Sequence, residues 1–79
     1  MKAYERLMNL EHHRIEVFRV KDQIAVTYSD SDISDGVVRK GVFGVGATFE
    51  DACEDYLNKI SGKKLVFGFG EDREEVIVL

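Results

Sequence analysis

One amphipathic segment constrains the fold of this 79-residue sequence more than any other feature. Its apolar residues recur at steps of three and one, the spacing that places them along one side of a helix. Thr48 precedes the segment as a helix N-cap, with Asp51 three residues later, and Gly62 follows where a left-handed C-terminal cap is expected. Because a short helix is marginal in water, this one must pack its apolar side against another part of the chain. That side comprises Phe49, Ala52, Cys53, Tyr56, Leu57 and Ile60.

Two short segments with alternating β-branched and aromatic residues, 16–20 and 24–28, predict a β-hairpin. A three-residue loop between them would place Phe18 opposite Val26, whereas a two-residue loop would place Phe18 opposite Ala25. We favour the three-residue loop because it gathers the apolar side chains of the hairpin on one face. The amphipathic helix is expected to pack on that face. The face comprises Phe18, Val20, Ile24 and Val26.

The other segments complete an α+β arrangement. Apolar residues at helical spacing predict an N-terminal helix that ends near His12 and His13. Local composition and alternation predict a turn over 29–36, a third strand over 37–45, a fourth strand over 65–69, a turn over 70–73 and a terminal strand over 76–79. The sequence therefore predicts a single α+β domain over residues 1–79. It has an N-terminal helix, an antiparallel β-meander of three strands, one amphipathic helix, then one or two further strands.

Charge and cysteine content restrict the functional class. The 11 Lys and Arg residues against 15 Asp and Glu residues give a net charge of −4, which disfavours non-specific binding to nucleic acid. A single cysteine excludes an internal disulfide. No run approaches the ~20 apolar residues that a membrane span needs, and the first residues lack the apolar core of a signal peptide. These features predict a cytoplasmic protein without a membrane partner.

Two loops have the spacing of ligand-binding motifs, and each lacks at least one required residue. Residues 41–48 have the glycine spacing of a phosphate-binding loop, but Ala47 stands where the lysine would reach the phosphates. We interpret this segment as a tight strand-to-helix turn. Residues 30–36 alternate carboxylates as a calcium loop does, but Asp35 and Gly41 occupy the positions that require glycine and glutamate. We interpret that segment as a solvated loop.

The soft metal ligands of the chain are His12, His13 and Cys53. Adjacent histidines on a helix point in different directions, and Cys53 belongs to the apolar side of the second helix. Neither a metal-ligand set nor a pair of nucleophile and base can be assembled from them. We therefore predict no metal site, no cofactor and no catalytic residue, and hence no enzyme.

Four carboxylates open the second helix and form what we call the acidic face: Glu50, Asp51, Glu54 and Asp55. Acidic side chains are favoured in the first turns of a helix, so a solvated helix start explains them without any function. The functional interpretation is a surface that binds a basic protein partner.

Residues 44–52 (GVGATFEDA) and 56–60 (YLNKI) resemble the core of HicB-type antitoxin domains. Those domains have strands, a glycine-containing turn, a helix that starts Thr-hydrophobic-Glu-Glu-Ala, and a further strand. The resemblance covers about residues 15–69. Residues 55–57 and 60–67 are also similar to small uncharacterised phage and prophage proteins. The resemblance implies an antitoxin-like role.

Two functional hypotheses follow. The first is a non-catalytic protein-interaction module, such as a small phage-type modulator or an antitoxin-like inhibitor of a host protein. The second is a double-stranded nucleic-acid-binding domain, because the double-stranded-RNA-binding family is similar in its order of a helix, three strands and a helix. That family needs basic residues at the start of its second helix, where this chain has Glu50 and Asp51, so nucleic acid is the less favoured partner. The apolar run over 76–79 also predicts a homodimer through a sheet edge, beside pairing within the chain.

Overall fold

A computed structural model describes residues 2–9, 14–68 and 70–78. Within these residues the predicted α+β class is confirmed. The elements in chain order are α1 (Ala3–Met8), β1 (Ile15–Val20), β2 (Gln23–Tyr28), β3 (Ser31–Ser34), β4 (Arg39–Lys40), β5 (Gly44–Gly46), α2 (Phe49–Ile60), β6 (Lys64–Phe67) and β7 (Glu74–Ile77), with a 3-10 turn at Gly70–Asp72. The predicted end of the first helix at His12 and His13 lies outside the described residues.

The described strands form two antiparallel sheets. The first has the order β1-β2-β5 and the second has the order β4-β3-β6-β7. Asp30, with a left-handed φ of 55°, turns the chain from β2 in the first sheet to β3 in the second. The predicted third strand over 37–45 is wrong, because β4 and β5 occupy only parts of it and β3 forms inside the predicted turn over 29–36.

β3 forms in a segment of turn-forming residues because it pairs with a strand on each side. Ile33 lies opposite Lys40 of β4 and opposite Leu65 of β6. Asp32 also forms an ion pair with Arg39 across β3 and β4, with Oδ2 and Nη2 2.9 Å apart. Pairing with a segment distant in the sequence therefore overrides the local turn propensity.

The hairpin register predicted from a three-residue loop is wrong. Lys21 adopts a left-handed φ of 55°, and Lys21 and Asp22 form a two-residue loop that sets Phe18 opposite Ala25. The backbone of such loops matches the twist of the flanking strands, which compensates for the left-handed residue. Because side chains alternate between the faces of a strand, this register separates Phe18 from Val26.

The first sheet consequently has an inner face, packed on α2, and an outer face. Val26 and Tyr28 lie fully buried on the inner face, and Ile24 packs against the same core. Phe18 and Val20 lie on the outer face, where they are 41% and 37% exposed. The predicted packing of the amphipathic helix on Phe18 and Val20 is therefore wrong, whereas its packing on Val26 is confirmed.

α2 follows the predicted helix. The Asp51 N–H donates to Thr48 Oγ1 at 3.1 Å, and Gly62 has a left-handed φ of 75° just beyond the helix end. Phe49 departs from the predicted apolar side because it is 38% exposed, with its ring centroid 6.0 Å from that of Tyr4 in α1. The other predicted residues are buried: Ala52, Cys53, Tyr56, Leu57 and Ile60.

The close approach of α2 to β5 depends on glycine. A Cβ added at Gly44 would overlap the Ala52 carbonyl oxygen and the backbone and Cβ of Tyr56. One added at Gly46 would lie 2.6 Å from Asp51 Cβ, a separation that real Cβ atoms do not show. Residues 41–48, which have the spacing of a phosphate loop, thus form the predicted strand-to-helix turn and bring a strand against a helix.

A buried tyrosine pair joins the two helices to β2. Tyr56 Oη accepts a hydrogen bond from the Tyr28 N–H at 3.2 Å and lies 3.4 Å from Thr27 Oγ1. Tyr28 Oη donates to the Leu7 carbonyl of α1 at 2.5 Å. Burial, with smaller contributions from Tyr56 and Cys53, raises the pKa of Tyr28, so its hydroxyl stays protonated and remains a donor.

β7 pairs with β6 in the same chain, with Leu65 opposite Val76. The predicted pairing of the terminal strand within the chain is confirmed. The strand begins at Glu74, two residues before the predicted start.

Candidate functional site

The acidic face is divided by the structure into two structural carboxylates and two exposed ones. Glu50 Oε1 accepts the Ala3 N–H at 3.1 Å and so caps the N-terminus of α1. Asp55 Oδ2 accepts the Val45 N–H at 2.9 Å and forms an ion pair with Lys59 Nζ at 2.8 Å. These contacts fix neighbouring elements in place.

Asp51 and Glu54 are the members of the acidic face that remain exposed. Asp51 lies in the first turn of α2, where a negative charge interacts favourably with the helix dipole. The structure thus accounts for Glu50, Asp51 and Asp55 without a partner. Binding of a basic protein at the acidic face stays a prediction, and only Asp51 and Glu54 offer it free surface.

Asp55→Ala is expected to lower the free energy of unfolding by about 1–3 kcal/mol at neutral pH, because the Val45 N–H loses a charged acceptor. Glu54→Ala, one residue away on exposed surface, is the matched control and should change it by less than about 0.5 kcal/mol. Urea unfolding at neutral pH measures both. Equal, small effects would show that Asp55 does not hold β5 on the helix.

The cost of Asp55→Ala should also depend on pH. Hydrogen bonds from Lys59 and then Val45 hold the pKa of Asp55 below its ordinary value. A carboxyl with a lowered pKa stabilises the fold above its unfolded pKa of about 3.9, and the stabilisation is lost as the pH falls through the folded pKa. The difference in free energy of unfolding between the wild type and Asp55→Ala should therefore be constant from pH 7 to about 5, and it should shrink below pH 4.

The loop with alternating carboxylates uses its side chains to hold its own backbone. Asp35 Oδ1 accepts the N–H groups of Val37 and Val38, each at 2.9 Å, and these bonds lower the pKa of Asp35. Asp32 is paired with Arg39. Within residues 2–9, 14–68 and 70–78, no three His, Cys, Asp or Glu side chains are grouped to hold a metal ion.

Cys53 lies on the buried side of α2, where it is fully buried in the core. Burial, with a smaller contribution from Glu50, raises the pKa of the Cys53 thiol to about 11. The thiol is therefore protonated at neutral pH, the state that neither attacks a substrate nor binds a metal. His12 and His13 lie outside the described residues.

The outer face of the first sheet is the apolar surface that the sequence prediction missed. Phe18 of β1 and Phe43, just before β5, have ring centroids 5.9 Å apart and are 41% and 44% exposed. Val20 lies on the same face, and Val45 joins it opposite the fully buried Ala25. The sequence signal that would have found this surface is the two-residue loop alternative, which removes Phe18 and Val20 from the core.

Lys59 fixes the position of Phe43 in this surface. Its Nζ donates to the Phe43 carbonyl at 3.0 Å while it is paired with Asp55. The loop that presents the Phe43 ring is therefore anchored to α2. An aromatic side chain on an anchored backbone loses little conformational freedom when a partner covers it.

β1 borders the outer face and forms the edge of the first sheet. Among the described strands, only β2 pairs with it. α2 packs on β5 and β2, so β1 lies beyond the helix and Val17 on its inner side is 55% exposed. A six-residue edge strand with apolar side chains on both faces is a ready site for pairing with another strand.

Comparisons with protein-family models, with curated proteins and with solved structures give no match to this chain. In the part of the chain that the structure describes, no helix is long and apolar enough to cross a bilayer.

Proposed function

We propose that this chain is a non-catalytic protein-interaction module that binds a protein partner on the outer face of its first sheet. The observation that carries the proposal is the exposed pair Phe18 and Phe43, flanked by Val20. Contiguous exposed apolar surface on a small protein marks an interaction site, and aromatic residues are enriched at the centres of such sites.

The resemblance to HicB-type domains supports an inhibitor as the biological form of this module. An antitoxin-like protein covers a surface of its target and needs no catalytic group of its own. We therefore propose that the partner is a protein whose activity is blocked by docking on Phe18 and Phe43. A small phage-type modulator of a host protein would use the same surface in the same manner.

Duplex nucleic acid is the alternative partner, and the charges oppose it. Its expected contact, the start of α2, presents Asp51 and Glu54 to solvent. Phosphate groups would be repelled there. Three lysines do line a groove of about 490 Å³ beside the second sheet: Lys40, Lys63 and Lys64. This groove lies away from that helix start, however, and Asp35 also lines it.

The experiment compares Phe43→Ser with Glu54→Ser as matched exposed substitutions on the two candidate surfaces. Binding of the full chain to a purified partner, such as the product of a neighbouring gene, is measured by calorimetry. We expect Phe43→Ser to weaken binding by more than about tenfold, because an aromatic anchor contributes about 2 kcal/mol or more. Glu54→Ser should leave the affinity nearly unchanged.

Two outcomes would contradict the proposal. One is binding that survives Phe43→Ser and is lost with Glu54→Ser, which would assign the site to the acidic face. The other is tight, salt-dependent binding of the wild type to duplex RNA or DNA. If the partner is toxic when expressed alone, co-expression of the wild type should restore growth and co-expression of Phe43→Ser should not.

A further inference from the structure

We propose that β1 pairs with β1 of a second copy of this chain, antiparallel about a two-fold axis at Phe18. The pairing joins two three-stranded sheets into one of six strands. This inference rests on the proposed function, because the joined sheet places two outer faces side by side and doubles the docking surface. The edge at β1 thus binds a second copy, and the outer face of the first sheet stays open to the target protein.

The hydrogen-bonding pattern of the hairpin shows which groups the free edge presents. In a two-residue hairpin loop the flanking residues, Val20 and Gln23, are bonded to each other. The Ser29 N–H donates to the Arg14 carbonyl at 2.8 Å, so even-numbered residues bond to β2 at both ends of the hairpin. Bonding alternates along an antiparallel strand, and the odd-numbered residues therefore direct their N–H and C=O groups to the open edge. They are Ile15, Val17 and Arg19.

The side chains of β1 favour an axis at Phe18. In this register Phe18 lies beside Phe18 of the second copy on the outer face. Phe43 contacts Phe18 within each chain and lies farther from the axis, so the contact between the two copies is made by Phe18. Glu16 lies opposite Val20 of the second copy, so no two like charges face each other along β1. On the inner face, the aliphatic stem of Arg19 covers the exposed Val17 of the other chain.

The neighbouring registers are less favourable. An axis at Glu16 sets two glutamates opposite each other, and an axis at Arg19 sets two arginines opposite each other. An axis at Val17 sets Phe18 opposite Glu16 of the second copy and leaves the charge of Arg14 beside Val20. An axis at Phe18 avoids like-charge pairs, and it is the register among these that brings the two phenylalanine rings together at the centre.

The sequence predicts a dimer through residues 76–79, and residues 76 and 77 belong to β7 at the edge of the second sheet. This edge is poorly suited to pairing with a second copy. Its residues include Glu74 and Glu75, and Glu75 is engaged by Lys64 and Arg73. Charges on an edge strand oppose pairing with another copy. The structure thus favours β1 as the dimer edge.

A cross-linking experiment reads the register directly. Facing residues that are not hydrogen-bonded to each other have Cα atoms about 4.5 Å apart, within the range that a disulfide spans. Under oxidised glutathione, Phe18→Cys should give a disulfide-linked dimer and Val17→Cys should not. The native Cys53 is fully buried and does not interfere. Cross-linking of Val17→Cys in place of Phe18→Cys would overturn the register, and cross-linking of neither would overturn the dimer.

A second pair of variants tests the edge without a new cysteine. Light scattering should give the wild type a mass of twice 9.0 kDa. Val17→Pro removes an N–H that points away from β2, so the hairpin persists while the dimer dissociates. Val17→Thr keeps that N–H and is the matched control, and it should remain dimeric. A monomeric wild type, or a dimeric Val17→Pro, would overturn the proposal.

The two proposals can fail separately. Phe43→Ser lies outside the paired strands and should leave the mass unchanged while it weakens binding of the target. Val17→Pro should halve the mass while each chain keeps its own outer face. A monomer that still binds its target through Phe43 would overturn the dimer alone. A dimer whose target binding ignores Phe43 would overturn the docking surface alone.

Discussion

Gly44→Ala is expected to lower the free energy of unfolding by about 3–5 kcal/mol, the range of severe packing defects. A Cβ at this position would overlap the Ala52 carbonyl oxygen and the Tyr56 backbone nitrogen of α2. Both are main-chain atoms inside a helix, so no side-chain rotation relieves the overlap. A domain of 79 residues has a total stability of about 4–12 kcal/mol, so the variant should be largely unfolded or should melt far below the wild type.

Gly41→Ala is the matched control for this prediction. The nearest atom to a Cβ at Gly41 is Asp32 Oδ1 at 3.6 Å, which is an ordinary van der Waals contact. The variant should therefore unfold within about 0.5–1 kcal/mol of the wild type. Circular dichroism with urea or heat measures both variants. Equal stabilities would show that α2 does not lie as close to β5 as the structure has it.

α2 could be predicted in detail because all its signals are local. The cap at Thr48, the apolar spacing and the glycine at position 62 lie within fifteen residues, and each is confirmed. Phe49 is the exception, since its exposure depends on Tyr4 in a helix distant in the sequence. A helical period gives the direction of each side chain, but the extent of the covering surface comes from the rest of the fold.

The strands were harder to predict because their positions depend on pairing. β3 lies among Ser and Asp residues whose local preference is for turns, and its pairing with β6 joins residues 30 to 36 positions apart. In the hairpin, a one-residue change of loop length moved Phe18 and Val20 from the core to the surface. Alternation alone is satisfied by either register, since only the turn at Lys21 decides between them.

The candidate site was predicted less well than the fold for the same reason. The acidic face lies on α2 as expected, but Glu50 contacts Ala3 in a helix distant in the sequence. Asp55 contacts Val45 in the preceding strand, an arrangement that only the packing of α2 on β5 produces. The composition of the outer face follows directly from the hairpin register. Because the predicted register was wrong, Phe18 and Val20 were assigned to the core and the exposed apolar surface was not predicted. A surface made of strand residues can be recognised only after the two faces of the sheet have been assigned.

Stability measurements can test that assignment through the second large expected effect, Ile60→Ala. Ile60 is fully buried in the core, and truncating such a residue costs about 2–5 kcal/mol through lost burial and a residual cavity. Phe18→Ala removes a larger side chain, but that side chain is 41% exposed on the outer face. Its loss should cost less than about 1.5 kcal/mol when measured at low protein concentration, where the proposed dimer dissociates.

The order of these two values discriminates between the hairpin registers. If Phe18 were packed under α2, as a three-residue loop requires, Phe18→Ala would cost about 3–5 kcal/mol and would match or exceed Ile60→Ala. With Phe18 on the outer face, Ile60→Ala is expected to be the more destabilising change although it removes fewer atoms. A larger destabilisation by Ile60→Ala than by Phe18→Ala cannot arise from side-chain size, since size alone favours the larger effect at phenylalanine. This order therefore reports which face of the first sheet α2 covers, and whether Phe18 is free to contact a partner.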